Sequence, residues 1–128
     1  MSVAEQEQAG PEAVYFSKLE SGIFEIQRCD DCNGAVFYPR LVCPHCGSAA
    51  LSWFAPTGRG TVYATTTVHT GGEPYNVCLV DLDEGARMMT RVEDMPPGDV
   101  GIGLRVQARI QQADGGARIV FDALKETP

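Results

Sequence analysis

The stretch RCDDCNGAVFYPRLVCPHCGS, residues 28–48, holds four of the five cysteines of this 128-residue chain as two C-x-x-C pairs, Cys29/Cys32 and Cys43/Cys46. Each pair can fold into a tight knuckle that aims two thiolates at one point. The residues behind the pairs, Asn33-Gly34 and Gly47, tolerate the positive φ that such a turn demands. Two knuckles together supply the closed tetrahedral thiolate set of a structural metal site. The intervening Val36-Phe37-Tyr38-Pro39 is enough for a short β-hairpin, so the region reads as a rubredoxin-like zinc ribbon. Zinc is the expected cofactor; iron takes the same ligands, and the spacing leaves both open. A redox pair would open a helix in a βαβ context, which this region does not offer. Disulfides would imply secretion, and the opening MSVAEQEQAGPE lacks the basic and apolar runs of a signal peptide. The expectation is therefore a cytoplasmic protein with reduced thiols. Four thiolates leave no coordination position for water, so the metal is expected to hold the chain and do no chemistry. His45 reads as an exposed knuckle residue, because the ligand set is complete without it.

Around this anchor the chain divides into three parts: 1–22, a disordered N-terminus and a short helix; 23–54, the ribbon; and 55–128, a β domain. Residues 1–10 are polar and expected to be disordered. Pro11 suits the first position of a helix and Gly22 the position just past its end. Between them Tyr15, Phe16 and Leu19 stand three and four apart on one apolar face, which could pack on its own domain or on a partner. Ile23 to Gln27 alternates as a strand, and Leu51 to Phe54 leaves the ribbon. Pro56, Gly58 and Gly60 mark a joint, with a bulge expected at Gly58-Arg59-Gly60 where the next strand begins. Then Val62, Ala64, Thr66 and Val68 alternate with Thr61, Tyr63, Thr65 and Thr67. Further strands are expected over 76–82, 86–92 and 104–110, with a last one carrying Ile119 and Phe121. Short strands, no long helix and one longer connection between the third and fourth suit a five-stranded OB-fold barrel. The fold class is mainly β.

Outside the metal site the chemistry is sparse. Cys78, in the apolar run Asn76-Val77-Cys78-Leu79-Val80, reads as a small core residue; as a nucleophile it would need a base, and nothing in the sequence places His69 beside it. Arg87, Arg91, Arg105 and Arg109 fall at alternate positions on two strands and should share a face outside the core. They read as solvent-exposed partners of carboxylates, or as contacts for an anion such as the phosphates of a nucleotide or CoA. No mostly apolar run reaches the ~20 residues of a membrane span. The net charge of −7 argues against a broad nucleic-acid footprint.

The order of parts carries a resemblance. Ser21-Gly22 ends a helix; then come Arg28-Cys29-x-x-Cys32, Tyr38-Pro39-Arg40, Cys43-Pro44-x-Cys46-Gly47, Trp53, Gly58-x-Gly60-x-Val62-Tyr63, Pro74-Tyr75 and Gly101-Ile102-Gly103-Leu104-x-Val106. Over residues 11 to about 124 the chain resembles the zinc-ribbon, OB-fold proteins that accompany acyl-CoA enzymes, long catalogued as a domain of unknown function. The resemblance implies a non-catalytic accessory subunit of a thiolase-like condensing enzyme or an aldolase, or of a hydratase, that helps to hold the CoA chain. The competing reading is an OB-fold binder of single-stranded nucleic acid, in which Tyr63 and Tyr75 would stack bases.

Overall fold

The structure, a computed structural model, describes residues 10–124. The disorder expected for residues 1–10 therefore concerns, Gly10 apart, residues outside those described. The helix α1 spans Pro11–Glu20 and begins on its proline. Its end is closed by Gly22 at φ 85°, a conformation glycine adopts without cost. Tyr15 and Leu19, one turn apart, are 3% and 0% exposed, whereas Phe16 stays 38% exposed. The helix thus docks on its own chain through two of its three apolar residues. Glu20 extends the docking by accepting the backbone N–H of Ala117 at 2.7 Å.

Three short strands form the ribbon sheet: β1 (Ile26–Cys29), β2 (Ala35–Val36) and β3 (Leu51–Phe54). They lie in the order β2-β1-β3, antiparallel throughout. The hairpin expected inside 36–39 is not the one that forms. Ala35 and Val36 turn back on Arg28 and Gln27 across the first knuckle, because the knuckle itself makes the reversal.

The second sheet holds β4 (Arg59–Val68), β5 (Tyr75–Leu82), β6 (Arg87–Thr90), β7 (Arg105–Ala113) and β8 (Gly116–Ala123). Their order is β6-β5-β4-β7-β8. A parallel bridge between Val92 and Phe121 brings the two outer strands together, and the sheet becomes a nearly closed five-stranded barrel. The alternating residues Val62, Cys78, Val80, Leu82, Met88, Val106 and Phe121 fill it, and Leu19, Tyr15 and Ile26 join the same core from the helix and ribbon. The long connection between β6 and β7 carries a 3₁₀ turn at Pro97–Asp99.

Two local readings change. The alternation of β4 is not continuous: Val62 pairs with Val80 and Ala64 with Leu79, so Tyr63 is the extra residue of a bulge and the later threonines change face. The irregularity lies there and not at Gly58-Arg59-Gly60. Those glycines answer to close approach: a Cβ on Gly60 would lie 2.7 Å from the Asp81 carbonyl oxygen. The third barrel strand is also shorter than 86–92. Val92, past the end of β6, is held by the buried Asn76, whose amide donates to the Val92 carbonyl at 2.7 Å and accepts from its N–H at 2.9 Å. Among the described residues no helix is long and apolar enough to cross a membrane.

Candidate functional site

The two knuckles are built alike. The N–H of Asn33 donates to the Cys29 carbonyl, and the N–H of Gly47 to the Cys43 carbonyl, both at 2.8 Å. The first cysteine of each pair then donates its own N–H onward, Cys29 to Gly34 at 2.9 Å and Cys43 to Ser48 at 2.8 Å. This winding needs a left-handed residue directly after the second cysteine. Gly47 supplies it at φ 81° and Asn33 at φ 67°; asparagine is among the few side chains that tolerate the region. Gly34 serves a different purpose. A Cβ there would meet the His45 ring at 3.0 Å, so the glycine makes room for a histidine that crosses from the second knuckle. His45 Nε2 lies 3.4 Å from the Ala35 carbonyl, and the histidine braces the knuckles from outside the thiol cluster.

The sulfurs of Cys29, Cys32, Cys43 and Cys46 all lie within 4.8 Å of one another. Cys29 and Cys46 are 3.5 Å apart and Cys32 and Cys43 3.7 Å. A tetrahedron with Zn–S bonds of about 2.3 Å has S–S edges of about 3.8 Å, so the cluster fits a metal ion of that size. It does not fit disulfides, whose sulfurs stand about 2.05 Å apart. All five cysteines are free thiols. Backbone N–H groups already point at the sulfurs, Cys32 to Cys29 at 3.4 Å and His45 to Cys43 at 3.3 Å. The Cys32 N–H favours thiolate at Cys29 and draws that thiol down to about 7.

Gln27 is the supporting residue that reading the sequence missed. It is 4% exposed, and its side chain holds both backbone groups of Arg40: it donates to the carbonyl at 2.9 Å and accepts from the N–H at 2.7 Å. The amide thereby pins the loop that carries the chain from one knuckle to the other. A polar residue at a buried strand position is the only signal the sequence offers. Gln27→Ala should cost about 2 kcal/mol, since two buried backbone groups lose their partner. The check is a lower urea midpoint in equilibrium unfolding, with faster zinc transfer to a chelator.

The other candidates scatter. Arg87 makes a two-pronged pair with Asp81 at 2.6 and 3.1 Å, and Arg105 does the same with Asp83 at 2.7 and 2.9 Å. Arg109 pairs with Asp122 at 2.6 Å and Arg91 with Glu93. The hydrogen bonds from Arg87 and Arg105 hold the Asp81 and Asp83 carboxyls below their ordinary range. An anion would have to compete with a carboxylate at each arginine. The tyrosines that could stack bases are also engaged: the Arg87 guanidinium lies 3.6 Å from the Tyr63 ring centroid and that of Arg91 5.5 Å from Tyr75. Cys78 is 1% exposed and donates to Asn76 at 3.0 Å. It faces Thr65 across the ladder, while His69 lies beyond the end of β4.

Comparison with known proteins matches this geometry. Residues 16–52 match the family described as the ChsH2 rubredoxin-like zinc ribbon domain, and residues 53–111 match the ChsH2 C-terminal OB-fold domain. A DUF35 domain-containing scaffold protein of Methanocaldococcus jannaschii is 33% identical over 79% of this chain and 78% of its own. A probable enoyl-CoA hydratase alpha subunit of Thermomonospora curvata is 33% identical over 80% of this chain, which spans only 34% of that longer protein. Among solved structures, a chain of an Ltp2-ChsH2(DUF35) aldolase superposes with a TM-score of 0.79 at 31% identity, over 88% of this chain and 94% of that one. A DUF35 protein of unknown function from Sulfolobus solfataricus shares the fold, with a TM-score of 0.64 at 17% identity over 94% and 92%. A zinc ribbon followed by an OB barrel is thus shared in sequence and in shape, and the chain belongs to the DUF35 family of ChsH2-type zinc-ribbon and OB-fold proteins.

Proposed function

We propose that this protein is a non-catalytic accessory subunit of an acyl-CoA-processing enzyme, held in shape by one structural zinc and docked on a thiolase-like or aldolase-type catalytic subunit. The observation that carries the reading is the likeness to the ChsH2(DUF35) chain of an aldolase, which extends over nearly the whole of both chains. The relatives named as scaffold proteins and as the alpha subunit of a probable enoyl-CoA hydratase support it from independent directions. The chemistry agrees. Zinc on four thiolates has a full tetrahedral shell and supplies folding free energy, not an open Lewis-acid position. Cys29, Cys32, Cys43 and Cys46 would hold it, Gln27 and His45 would keep the two knuckles in register, and none of these residues would touch the reacting atoms.

The test is co-expression of the full chain with thiolase-fold aldolase and condensing-enzyme subunits, followed by size-exclusion chromatography with light scattering. The expected result is a stable hetero-oligomer with one of them, while the isolated chain cleaves and condenses no acyl-CoA. A chain that stays alone with every candidate, yet binds a single-stranded oligonucleotide below micromolar concentration with a steep salt dependence, would replace this reading with the nucleic-acid one.

A further inference from the structure

The barrel is sealed along only part of its seam. Strands β6 and β8 run side by side, but among the described residues the backbone hydrogen bonds that join this edge to β8 lie past the end of β6, around Phe121, whose N–H donates to the Arg91 carbonyl at 2.9 Å and whose carbonyl accepts from the Glu93 N–H at 2.8 Å. Before that point the hydrogen bond that links them among the described residues is that of the Thr90 hydroxyl, which donates to the Ile119 carbonyl at 3.1 Å. Arg87–Met89 and Arg118–Ile119 therefore face each other across an open seam, and there the surface sinks into a groove of about 460 Å³. Its lining is mostly apolar and includes Phe16 of the helix, Tyr38 of the ribbon, and Leu79 and Met89 of the barrel. Met89 is 74% exposed, and Phe16 and Tyr38 are 38% exposed each. The aromatic wall is rigid, for Tyr15 packs edge-on against both Phe16 and Phe37, with centroids at 5.0 and 5.3 Å.

Two arginines line this groove, Arg87 and Arg118, and they differ in their pairing. Arg87, Arg91, Arg105 and Arg109 each meet a carboxylate. Arg118 stands at the groove and at the neighbouring 270 Å³ cleft; its hydrogen-bond partner among the described residues is the neutral amide oxygen of Gln111, at 2.7 Å, and the carboxylate its charge acts on, Glu93, is already paired with Arg91. An aromatic and thioether trough with one cation that makes no direct ion pair among the described residues, on a protein of net charge −7, suits an apolar body ending in a single oxyanion. A multiply charged group would meet the carboxylates nearby and the field of the whole chain. A monocarboxylate needs one guanidinium, and Arg matches its two oxygens well.

We infer that the open seam between β6 and β8 is a binding groove for a medium-chain carboxylate, its chain along Phe16, Tyr38, Leu79 and Met89 and its carboxylate on Arg118. The groove lies within one chain, so the inference does not depend on the partner proposed above. Isothermal titration of the zinc-loaded full chain with decanoate, decanol and CoA tests it. Decanoate is expected to bind, and Arg118→Gln to weaken it about tenfold or more, as for a lost hydrogen bond to a charged group, with decanol affinity unchanged. Met89→Asp, at an exposed position, is expected to abolish binding of both. Absence of decanoate binding, or equal affinity in Arg118→Gln, overturns the inference. Binding of CoA without binding of decanoate also overturns it, and leaves the acyl-CoA accessory reading standing.

Discussion

Cys43→Ser is expected to strip the metal from the protein and unfold residues 28–54 while the barrel persists. Cys43 is 1% exposed and shares its small core only with Cys29, Val36 and a flanking Leu51. That cluster is far too small to order the loops around it; a metal ion on the four thiolates would supply the rest. Structural zinc in small domains contributes about 10–16 kcal/mol at neutral pH. Removing one thiolate opens the shell and leaves three thiols close together with no ion between them. The barrel has its own core, to which the ribbon contributes Ile26 and Ala35, so it should remain folded at reduced stability. Metal analysis should fall from one zinc per chain to below about one-tenth. Limited proteolysis should cut within 28–54 and leave a resistant fragment covering the barrel. Chelation of the wild type should produce the same cleavage pattern. A variant that keeps a full equivalent of zinc, or a wild type purified with neither zinc nor iron, would refute the assignment of these four cysteines.

Gly60→Val is expected to be the most damaging substitution in the barrel. Gly60 pairs with Leu82 on one side and with Val106 on the other, at the crossing where β4 passes from one half of the barrel to the other. A Cβ would stand 2.7 Å from the Asp81 carbonyl oxygen and 2.8 Å from Val80 Cγ1. Both neighbours are held, one as backbone and the other within a core residue that is 0% exposed. The strand must move, and with it the ladder to β7. Overpacking of this kind costs about 1–3 kcal/mol or more, and a β-branched residue should reach at least the top of that range. Thermal and urea unfolding should both register the loss, with zinc content unchanged, because the ribbon lies in a separate sheet. Equal stability of Gly60→Val and wild type would show that the crossing is looser than the distances imply.

Much of the architecture was legible from short windows of sequence. The C-x-x-C spacing, the left-handed positions after each pair, the proline that opens the helix and the glycine that ends it, and the alternation of β5 and β7 each depend on residues a few positions apart. Local backbone geometry decides such features, and no distant partner can change them. The metal cluster belongs to this group, since each knuckle is a closed loop of its own hydrogen bonds. The expected fold class and family, and four cysteine sulfurs placed close together, follow from that locality. The bulge at Tyr63 escaped because alternation in one strand says nothing about the register of its neighbour.

Long-range pairing decided the rest. Whether an arginine is available to an anion depends on which carboxylate the ladder sets opposite it: Asp83 reaches Arg105 across 22 residues and Asp122 reaches Arg109 across 13. Gln27 is a support only because the ribbon loop returns to it at Arg40. The helix docks on its own barrel because Glu20 meets Ala117, 97 residues away. The seam between β6 and β8, and with it the groove at Arg118, exists only after the first and last edges of a five-stranded sheet come within reach and stop short of pairing. A period of two in the sequence specifies which side chains face inward; the closure of the barrel, and where it remains open, is set by the twist and register of all five strands together, which no single segment encodes.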